Sequence, residues 1–187
     1  MNVVERYDVR TGWSRCKDMP TPRSALACTR LGESLFVVGG FTGTDYLPTV
    51  ERYDVRADRW ESFAPLSRPR GALAATTFEG CIYVLGGFDG GAWIGTVEKL
   101  VPASDEWQVL PPLPTARAAL GAASVDGAVY AVGGENGKEW LPTVERFKDG
   151  EWEPVAARLE ARAMASVAAV GDAVYVLGPP ASAENSY

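Results

Sequence analysis

The residues of this chain that are able to do acid–base chemistry are dominated by three glutamates at a regular spacing. Glu51, Glu98 and Glu145 recur at steps of 47 residues, in the segments TVERYD, TVEKLV and TVERFK. A general acid or base needs an environment of its own, whereas a carboxylate at one position of every repeat serves the scaffold. We predict that each glutamate accepts a hydrogen bond or an ion pair from a repeated arginine such as Arg70 or Arg117.

Other chemistry-bearing residues are sparse. The chain has no histidine, which excludes Ser-His-Asp and Cys-His nucleophilic sites and histidine-ligated metals. Cys16, Cys28 and Cys81 lie far apart, so they indicate neither a zinc site nor a disulfide framework. The run GGFDGG at residues 86–91 has the composition of a phosphate-binding loop but lacks the lysine and the following helix. We therefore predict no catalytic residue, no metal and no cofactor, and a protein that is not an enzyme.

Composition and charge narrow the possible partners. Of 187 residues, 47% are hydrophobic and 22% charged, as in an ordinary globular domain. Eighteen basic against 24 acidic residues give a net charge of −6, which argues against nucleic acid and anionic membranes as partners. The charged N-terminus differs from a signal peptide, and no stretch is long and apolar enough to span a bilayer. We expect a cytoplasmic protein.

An internal repeat positions these residues. A short apolar segment closed by glycine occurs four times, as LFVVGG, CIYVLGG, AVYAVGG and, altered, AVYVLGP. Tryptophans follow in the same register, at Trp13, Trp60, Trp107 and Trp152. A period of this length is typical of propeller blades. We predict a single domain over residues 1–187, with repeat units at residues 1–19 (partial), 20–66, 67–113, 114–158 and 159–180 (partial).

Each unit predicts a four-stranded antiparallel sheet. In the second complete unit, strands are expected at residues 71–77, 81–85 and 96–100 and around Trp107, with a tight hairpin turn at residues 79–80. The first strand has small side chains, which suit the crowded axis of a radial array. The second strand is apolar at nearly every position, so both of its faces are expected to be covered.

The outer strands carry the large side chains. We expect three pairs to make contacts between adjacent sheets: Tyr53 with Trp60, Leu100 with Trp107, and Phe147 with Trp152. Each aromatic ring would bury roughly 150–250 Å². The predicted fold is an all-β propeller of four-stranded blades. Three blades are complete, and the terminal strands either share a fourth blade or leave a partial propeller.

These motifs resemble those of the Kelch-repeat family. The resemblance rests on three double glycines, two Pro-Arg pairs and the tyrosines of the second strands: Gly39-Gly40, Gly86-Gly87, Gly133-Gly134, Pro22-Arg23, Pro69-Arg70, Tyr83, Tyr130 and Tyr175. The units look most like the Kelch domains of kelch-like adaptors, which accompany BTB and BACK domains and present substrates to a cullin-3 ubiquitin ligase. Neither of those domains lies within these 187 residues. The resemblance implies a protein-binding module with a protein or peptide ligand. An actin-binding scaffold is the alternative, and a propeller sugar epimerase or hydrolase is disfavoured.

Differences between the repeats predict where a partner binds. Positions that repeat between units are needed by the blade, so we expect structural roles for the double glycines and for Tyr53, Trp60, Trp107 and Trp152. In the kelch-like family, the loop after the double glycine and the approach to the first strand line one face. The resemblance therefore implies partner-binding roles for residues that vary there: Ser24, Thr42, Asp45, Asp89, Glu135, Asn136 and Lys138. Tyr46, Trp93 and Trp140 share one register and form either an aromatic rim for the partner or, as their repetition favours, packing between blades.

Overall fold

The computed structural model describes residues 2–155 and 160–179 of the chain. All regular elements in these two ranges are β-strands, and they form five antiparallel sheets. Three sheets have four strands each and two have two strands each. The predicted all-β fold of four-stranded blades is confirmed.

The three complete sheets follow one another along the chain, and in each the spatial order of the strands is the order in the sequence. The first contains β3 (Ala27–Leu31), β4 (Ser34–Val38), β5 (Val50–Asp54) and β6 (Arg59–Phe63). The second contains β7 (Ala74–Phe78), β8 (Cys81–Leu85), β9 (Val97–Val101) and β10 (Glu106–Leu110). The third contains β11 (Gly121–Val125), β12 (Ala128–Val132), β13 (Val144–Lys148) and β14 (Glu151–Pro154).

The two remaining sheets are terminal hairpins. They are β1 (Glu5–Asp8) with β2 (Gly12–Arg15), and β15 (Ser166–Val170) with β16 (Ala173–Leu177). Among the described residues the two hairpins are separate sheets, so the shared fourth blade that the sequence allowed is not formed within this chain. The structure is the second arrangement that the sequence left open, a partial propeller.

The innermost strand of each blade lies beside that of the next. Contacts join β3 to β7, β7 to β11 and β11 to β15. Hydroxyl groups reinforce the row, because Thr77 Oγ1 donates to the carbonyl of Arg30 at 2.7 Å and Ser124 Oγ donates to the carbonyl of Thr77 at 2.6 Å. These strands line a cavity of about 290 Å³. The prediction that the small-residue strands lie at the axis is confirmed.

The apolar second strands hold adjacent blades together. Val38, Ile82 and Leu100 belong to one buried cluster, and Leu85, Leu120 and Val129 belong to the next. Burying one such side chain completely contributes about 1.5–3 kcal/mol. The blades are therefore joined mainly through these strands and the axis strands.

The aromatic pairs of the outer strands lie within one sheet and not, as predicted, between adjacent sheets. Tyr53 and Trp60 are cross-strand neighbours within one sheet, with ring centroids 5.0 Å apart, because the antiparallel register places both on the same face. The expectation that such pairs form between adjacent sheets is wrong, and it is equally wrong for Leu100 with Trp107 and Phe147 with Trp152. The tryptophan nitrogen makes the link to the preceding blade instead. Trp60 Nε1 donates to the carbonyl of Lys17 at 2.9 Å.

A buried ion pair fixes each complete blade, as the sequence predicted. The pairs are Arg23 with Glu51 at 2.9 Å, Arg70 with Glu98, and Arg117 with Glu145 at 2.7 Å. Each arginine also donates to the carbonyl of the first glycine of the double glycine, at 2.8 Å in the bond from Arg23 to Gly39. Burial lowers the pKa of Arg70 and Arg117 and raises the pKa of Glu145. The pair therefore joins the first three strands of a blade at the end where the loops emerge.

Candidate functional site

Two sets of loops meet on one face of the propeller. Bridges of the antiparallel type join Ser24 to Phe41, Gly71 to Phe88 and Ala118 to Glu135. The approach to each first strand thus lies directly beside the loop after the double glycine. We use the term loop face for residues 41–46, 88–93 and 135–140 together with Ser24, Gly71 and Ala118.

Three of the predicted partner-binding residues hold the loops in shape. Asp89 Oδ1 accepts hydrogen bonds from the amides of Gly91 at 3.0 Å and Ala92 at 2.8 Å. Thr42 and Asn136 make the same turn with the amides two and three residues further on. Threonine, aspartate and asparagine all stabilise turns in this way, and that shared property was the signal the sequence analysis missed. Recognition through these side chains must use the acceptor capacity that the turn leaves free.

A continuous row of aromatic rings crosses the loop face. Tyr46 contacts Phe41 with ring centroids 4.8 Å apart and reaches Phe88 of the next blade at 5.8 Å. Phe88 in turn contacts Trp93 at 4.9 Å. All four rings are half-buried, so they pack between blades and also present an edge to solvent.

The row ends in polar contacts on the third blade. Trp93 Nε1 donates to Glu135 Oε1 at 2.7 Å, and Glu135 also accepts the amide of Gly137 at 2.8 Å. Gly137 lies flat against the Trp93 ring, where a β-carbon would come within 2.4 Å of it. Trp140 holds the same register in the third blade, and its buried Nε1 has no hydrogen-bond partner among the described residues. Tyr46 and Trp93 therefore pack against neighbouring rings, and Glu135 holds the third loop to Trp93 by hydrogen bonds.

The charged groups that remain accessible are few. Asp45 is exposed at the tip of the first loop, and Lys138 and Glu139 are exposed at the tip of the third; the uncharged Ser24 is exposed beside the first loop. Arg68 forms an ion pair with Asp89, and its side chain is 44% exposed. Arg68 is not among the residues predicted from the sequence, although it differs from the uncharged residues at the same position of the other complete blades, Thr21 and Thr115. The loop face thus combines a polar, mixed-charge edge with half-buried rings.

The hydrogen bonds of Asp89 predict how its carboxyl titrates with pH. The amides of Gly91 and Ala92, and then Arg68, lower the pKa of its carboxyl. Because the folded-state pKa is lowered, Asp89 stabilises the loop above the pKa of the unfolded chain, and this contribution is lost as the pH falls through the folded value. In an NMR titration the Asp89 carboxyl is expected to titrate below its ordinary range, with the Gly91 and Ala92 amides shifting at the same midpoint.

A variant separates the causes of this shift. Arg68→Gln is expected to leave most of the lowering in place, because the two backbone hydrogen bonds are its largest causes. An Asp89 midpoint at the ordinary aspartate value in the wild-type chain would contradict the turn described here. The amides of Ala57 and Arg56 lower the pKa of Asp54 in the same way, which provides an internal reference.

Neither a metal centre nor a membrane span is visible in residues 2–155 and 160–179. No three histidine, cysteine or carboxylate side chains cluster there as metal ligands would. No helix of the described part is long and apolar enough to cross a bilayer.

Comparisons with known proteins agree on the fold. The Kelch motif matches residues 22–67, 69–114 and 116–157. Human Kelch-like protein 4 is 42% identical over 67 residues, which is 35% of this chain and 9% of that protein. Mouse Kelch-like protein 15 is 40% identical over 63 residues, which is 33% of this chain and 10% of that protein. The chain thus aligns with about a tenth of the length of these relatives.

Comparison with one solved structure corrects the expectation that this chain is not an enzyme. The structure of YjhT superposes with a TM-score of 0.80 at 13% identity, over 92% of this chain and 65% of that chain. YjhT is a Kelch propeller, in a group with a sialidase-like enzyme member. The expectation that this chain is not an enzyme is therefore wrong as an exclusion, because the same fold accommodates catalysis. The lack of histidine removes only the mechanisms that require histidine.

Proposed function

The chain belongs to the Kelch-repeat family, and we propose that its loop face is a docking surface for a partner protein or peptide. The observation that carries this proposal is that the loops are held by their own hydrogen bonds and ring contacts. Thr42, Asp89 and Asn136 each fix a loop through two amide contacts, and the aromatic row joins the first two loops. Loops that are already ordered lose little conformational entropy when a ligand binds.

The accessible groups suggest how a partner is held. Asp45 and Lys138 have opposite charges on different blades, so they favour a ligand with opposite charges at matching positions. Between them, the exposed edges of Tyr46 and Trp93 offer apolar contact of the kind that anchors interfaces. The seven residues selected from the sequence remain the proposed contact set, and four of them are exposed: Ser24, Thr42, Asp45 and Lys138.

A finer proposal follows from the relatives. The likeness to Kelch-like proteins 4 and 15 supports a role as the substrate-recognition part of a cullin-3 ubiquitin ligase adaptor in the cytoplasm. The adaptor function would need a BTB domain, so the test is whether a complex of this chain with a BTB-containing partner retains cullin-3. Failure to retain cullin-3 would remove the adaptor role and leave the docking surface untouched.

Charge reversals on the loop face test the docking proposal. A peptide selected from a displayed library against the immobilised chain is expected to bind Lys138→Glu or Asp45→Lys about tenfold or more weakly, because one hydrogen bond to a charged group contributes about 1.5–3 kcal/mol. The dissociation constants are measured by fluorescence anisotropy. Glu106→Lys is the matched control, since Glu106 is exposed at the start of β10, away from the loop face. Peptides that lose affinity for the control but not for the loop variants would overturn the proposal.

A further inference from the structure

We propose that Asn136, in the third loop of the loop face, is a site of deamidation promoted by its own neighbours, which convert it to aspartate and isoaspartate. Asn136-Gly137 is the only Asn-Gly pair in the sequence, and glycine hinders attack by its own amide nitrogen less than any other residue does. The reaction takes place within one chain and uses water as its co-reactant. It therefore stands whether or not the loop face binds a partner.

The Gly137 amide nitrogen is the nucleophile of this reaction, and a carboxylate already lies against its proton. The amide of Gly137 donates to Glu135 Oε2 at 2.8 Å, a distance suited to proton transfer. Glu135 is held in place from its other oxygen, because Trp93 Nε1 donates to Oε1 at 2.7 Å. Glu135 is thus positioned to act as the base that takes the proton when the nitrogen attacks.

The side-chain amide of Asn136 is oriented and polarised for this attack. Its Oδ1 accepts hydrogen bonds from the amides of Lys138 at 3.0 Å and Glu139 at 3.1 Å. A side-chain oxygen that bonds the amide two residues further on folds back over the peptide bond between Asn136 and Gly137, which contains the nucleophile. Two backbone donors on one carbonyl oxygen also stabilise the negative charge that forms there when the carbon is attacked.

The reaction passes through a cyclic succinimide. The Gly137 nitrogen forms a bond to Cγ of Asn136, its proton passes to Glu135, and negative charge collects on Oδ1. The bond from Cγ to the side-chain nitrogen then breaks, and that nitrogen leaves as ammonia with the proton from Glu135, which restores the carboxylate. Gly137 is exposed, so water reaches the ring and opens it at either carbonyl. The new carboxyl group ionises and adds one negative charge beside Lys138.

The equivalent loops of the other two complete blades lack this combination of groups, although they make the same turn. Thr42 has no side-chain carbonyl to be attacked. Asp89 has one, but the backbone amides that bond to it lower the pKa of its carboxyl, and an ionised carboxylate resists attack by a nucleophile. The residue that precedes each of them is a phenylalanine, which cannot accept a proton. Among the three loops, the third alone combines a base, a side-chain amide and a glycine.

Gly137 is fixed by the packing of the loop face. It has φ +82°, and a β-carbon there would collide with the ring of Trp93. A bulkier residue after Asn136 would crowd the attacking nitrogen and slow the reaction, but none fits here unless Trp93 moves. The contact that packs the third loop against the second blade therefore also keeps its reactive Asn-Gly pair.

A comparison of rates in the folded chain and in a short peptide tests this site. The folded chain and a capped synthetic peptide of residues 133–140 are incubated together at neutral pH. Mass spectrometry follows the deamidation of both, and fragmentation of the tryptic peptide that ends at Lys138 locates the isoaspartate. Asn136 is expected to deamidate about tenfold or more faster in the folded chain, within the effect of about 10²–10⁴-fold that a positioned base commonly contributes.

Two glutamate variants identify the base. Glu135→Gln keeps the shape of the side chain without its carboxylate, and it is expected to lower the rate in the folded chain about fivefold or more, towards that of the peptide. Glu139→Gln is the matched control, because it removes an exposed carboxylate from the same loop, and it is expected to keep the wild-type rate. The NMR shift of the Lys138 amide reports whether the Asn136 turn persists in each variant.

Either of two results would overturn the proposal. One is a folded wild-type chain that deamidates at Asn136 no faster than the peptide, a comparison that requires no variant. The other is a wild-type rate in Glu135→Gln while the Lys138 amide shift shows that the turn is retained. Both rates are measured without a partner, so neither result bears on the docking surface.

Discussion

Replacing Arg70 by methionine is expected to lower the free energy of unfolding by about 3–5 kcal/mol, the usual cost of leaving one member of a buried ion pair unpaired. The Arg70 side chain is fully buried and pairs with Glu98, whose side chain is 1% exposed. It also donates to the carbonyls of Gly86 and Thr96, each at 3.2 Å. Methionine fills much of the same space, so the loss reports the missing charge and hydrogen bonds more than a cavity.

A double-mutant cycle separates the contribution of the ion pair from that of the other hydrogen bonds made by Arg70 and Glu98. Glu98 also accepts hydrogen bonds from the amide and hydroxyl of Ser67, at 3.0 and 2.9 Å. The variant Arg70→Met with Glu98→Gln is expected to lose less stability in urea unfolding than the sum of the two single variants, because the glutamine carries no unpaired charge. Arg30→Met is the control, since Arg30 is 73% exposed, and its expected loss is at most about 1 kcal/mol. Additive losses in the cycle would show that the pair is not coupled.

Replacing Gly86 by alanine is expected to destabilise the chain by about 2–5 kcal/mol, from two causes that act together. Gly86 has φ +62°, a left-handed conformation that costs other residues about 1–2 kcal/mol. A β-carbon there would also lie 2.5 Å from the carbonyl oxygen of Arg117 in the next blade. That oxygen accepts the amide of Gly87, so it cannot move away without loss of the contact between the blades.

Substitution of a second glycine separates the energetic cost of the left-handed conformation from the cost of the steric contact. Gly80 has φ +72° in the hairpin turn, and no atom lies within 4 Å of its β-carbon position. Gly80→Ala is therefore expected to cost only the conformational part, about 1–2 kcal/mol. Thermal and urea unfolding of the two variants measure the difference. Equal losses at the two positions would contradict the close approach between blades at the double glycine.

The repeat allowed the blade interior to be predicted in detail. The ion pairs of Glu51, Glu98 and Glu145 followed from their constant spacing, because a residue kept at one position of each unit must meet the same neighbour in each unit. The strand at Cys81–Leu85 followed from an apolar run bounded by turn residues, with Glu79 and Gly80 in the positive-φ turn between β7 and β8. Such features depend on contacts within one blade, or between equivalent positions of neighbouring blades.

The candidate site was harder to predict from the repeat than the blade interior was. Variation between repeats led to Thr42, Asp89 and Asn136, and the structure shows that each uses its side chain to cap its own loop. Arg68 was overlooked because its role depends on Asp89, 21 residues later in the sequence. The aromatic pairs were assigned to the wrong interface, since the register between β5 and β6 decides which rings face each other.

By itself the sequence determined the repeat, the four-stranded blade and the buried pair inside it, because these depend on periodicity and on local turn chemistry. Only the tertiary structure decided how the blades are joined and which groups remain free. Trp60 and its equivalents bond to the preceding blade, and Tyr46 packs on the next one. These contacts join residues that are distant in the sequence, and their geometry is set by the packing of whole sheets, which no local pattern specifies.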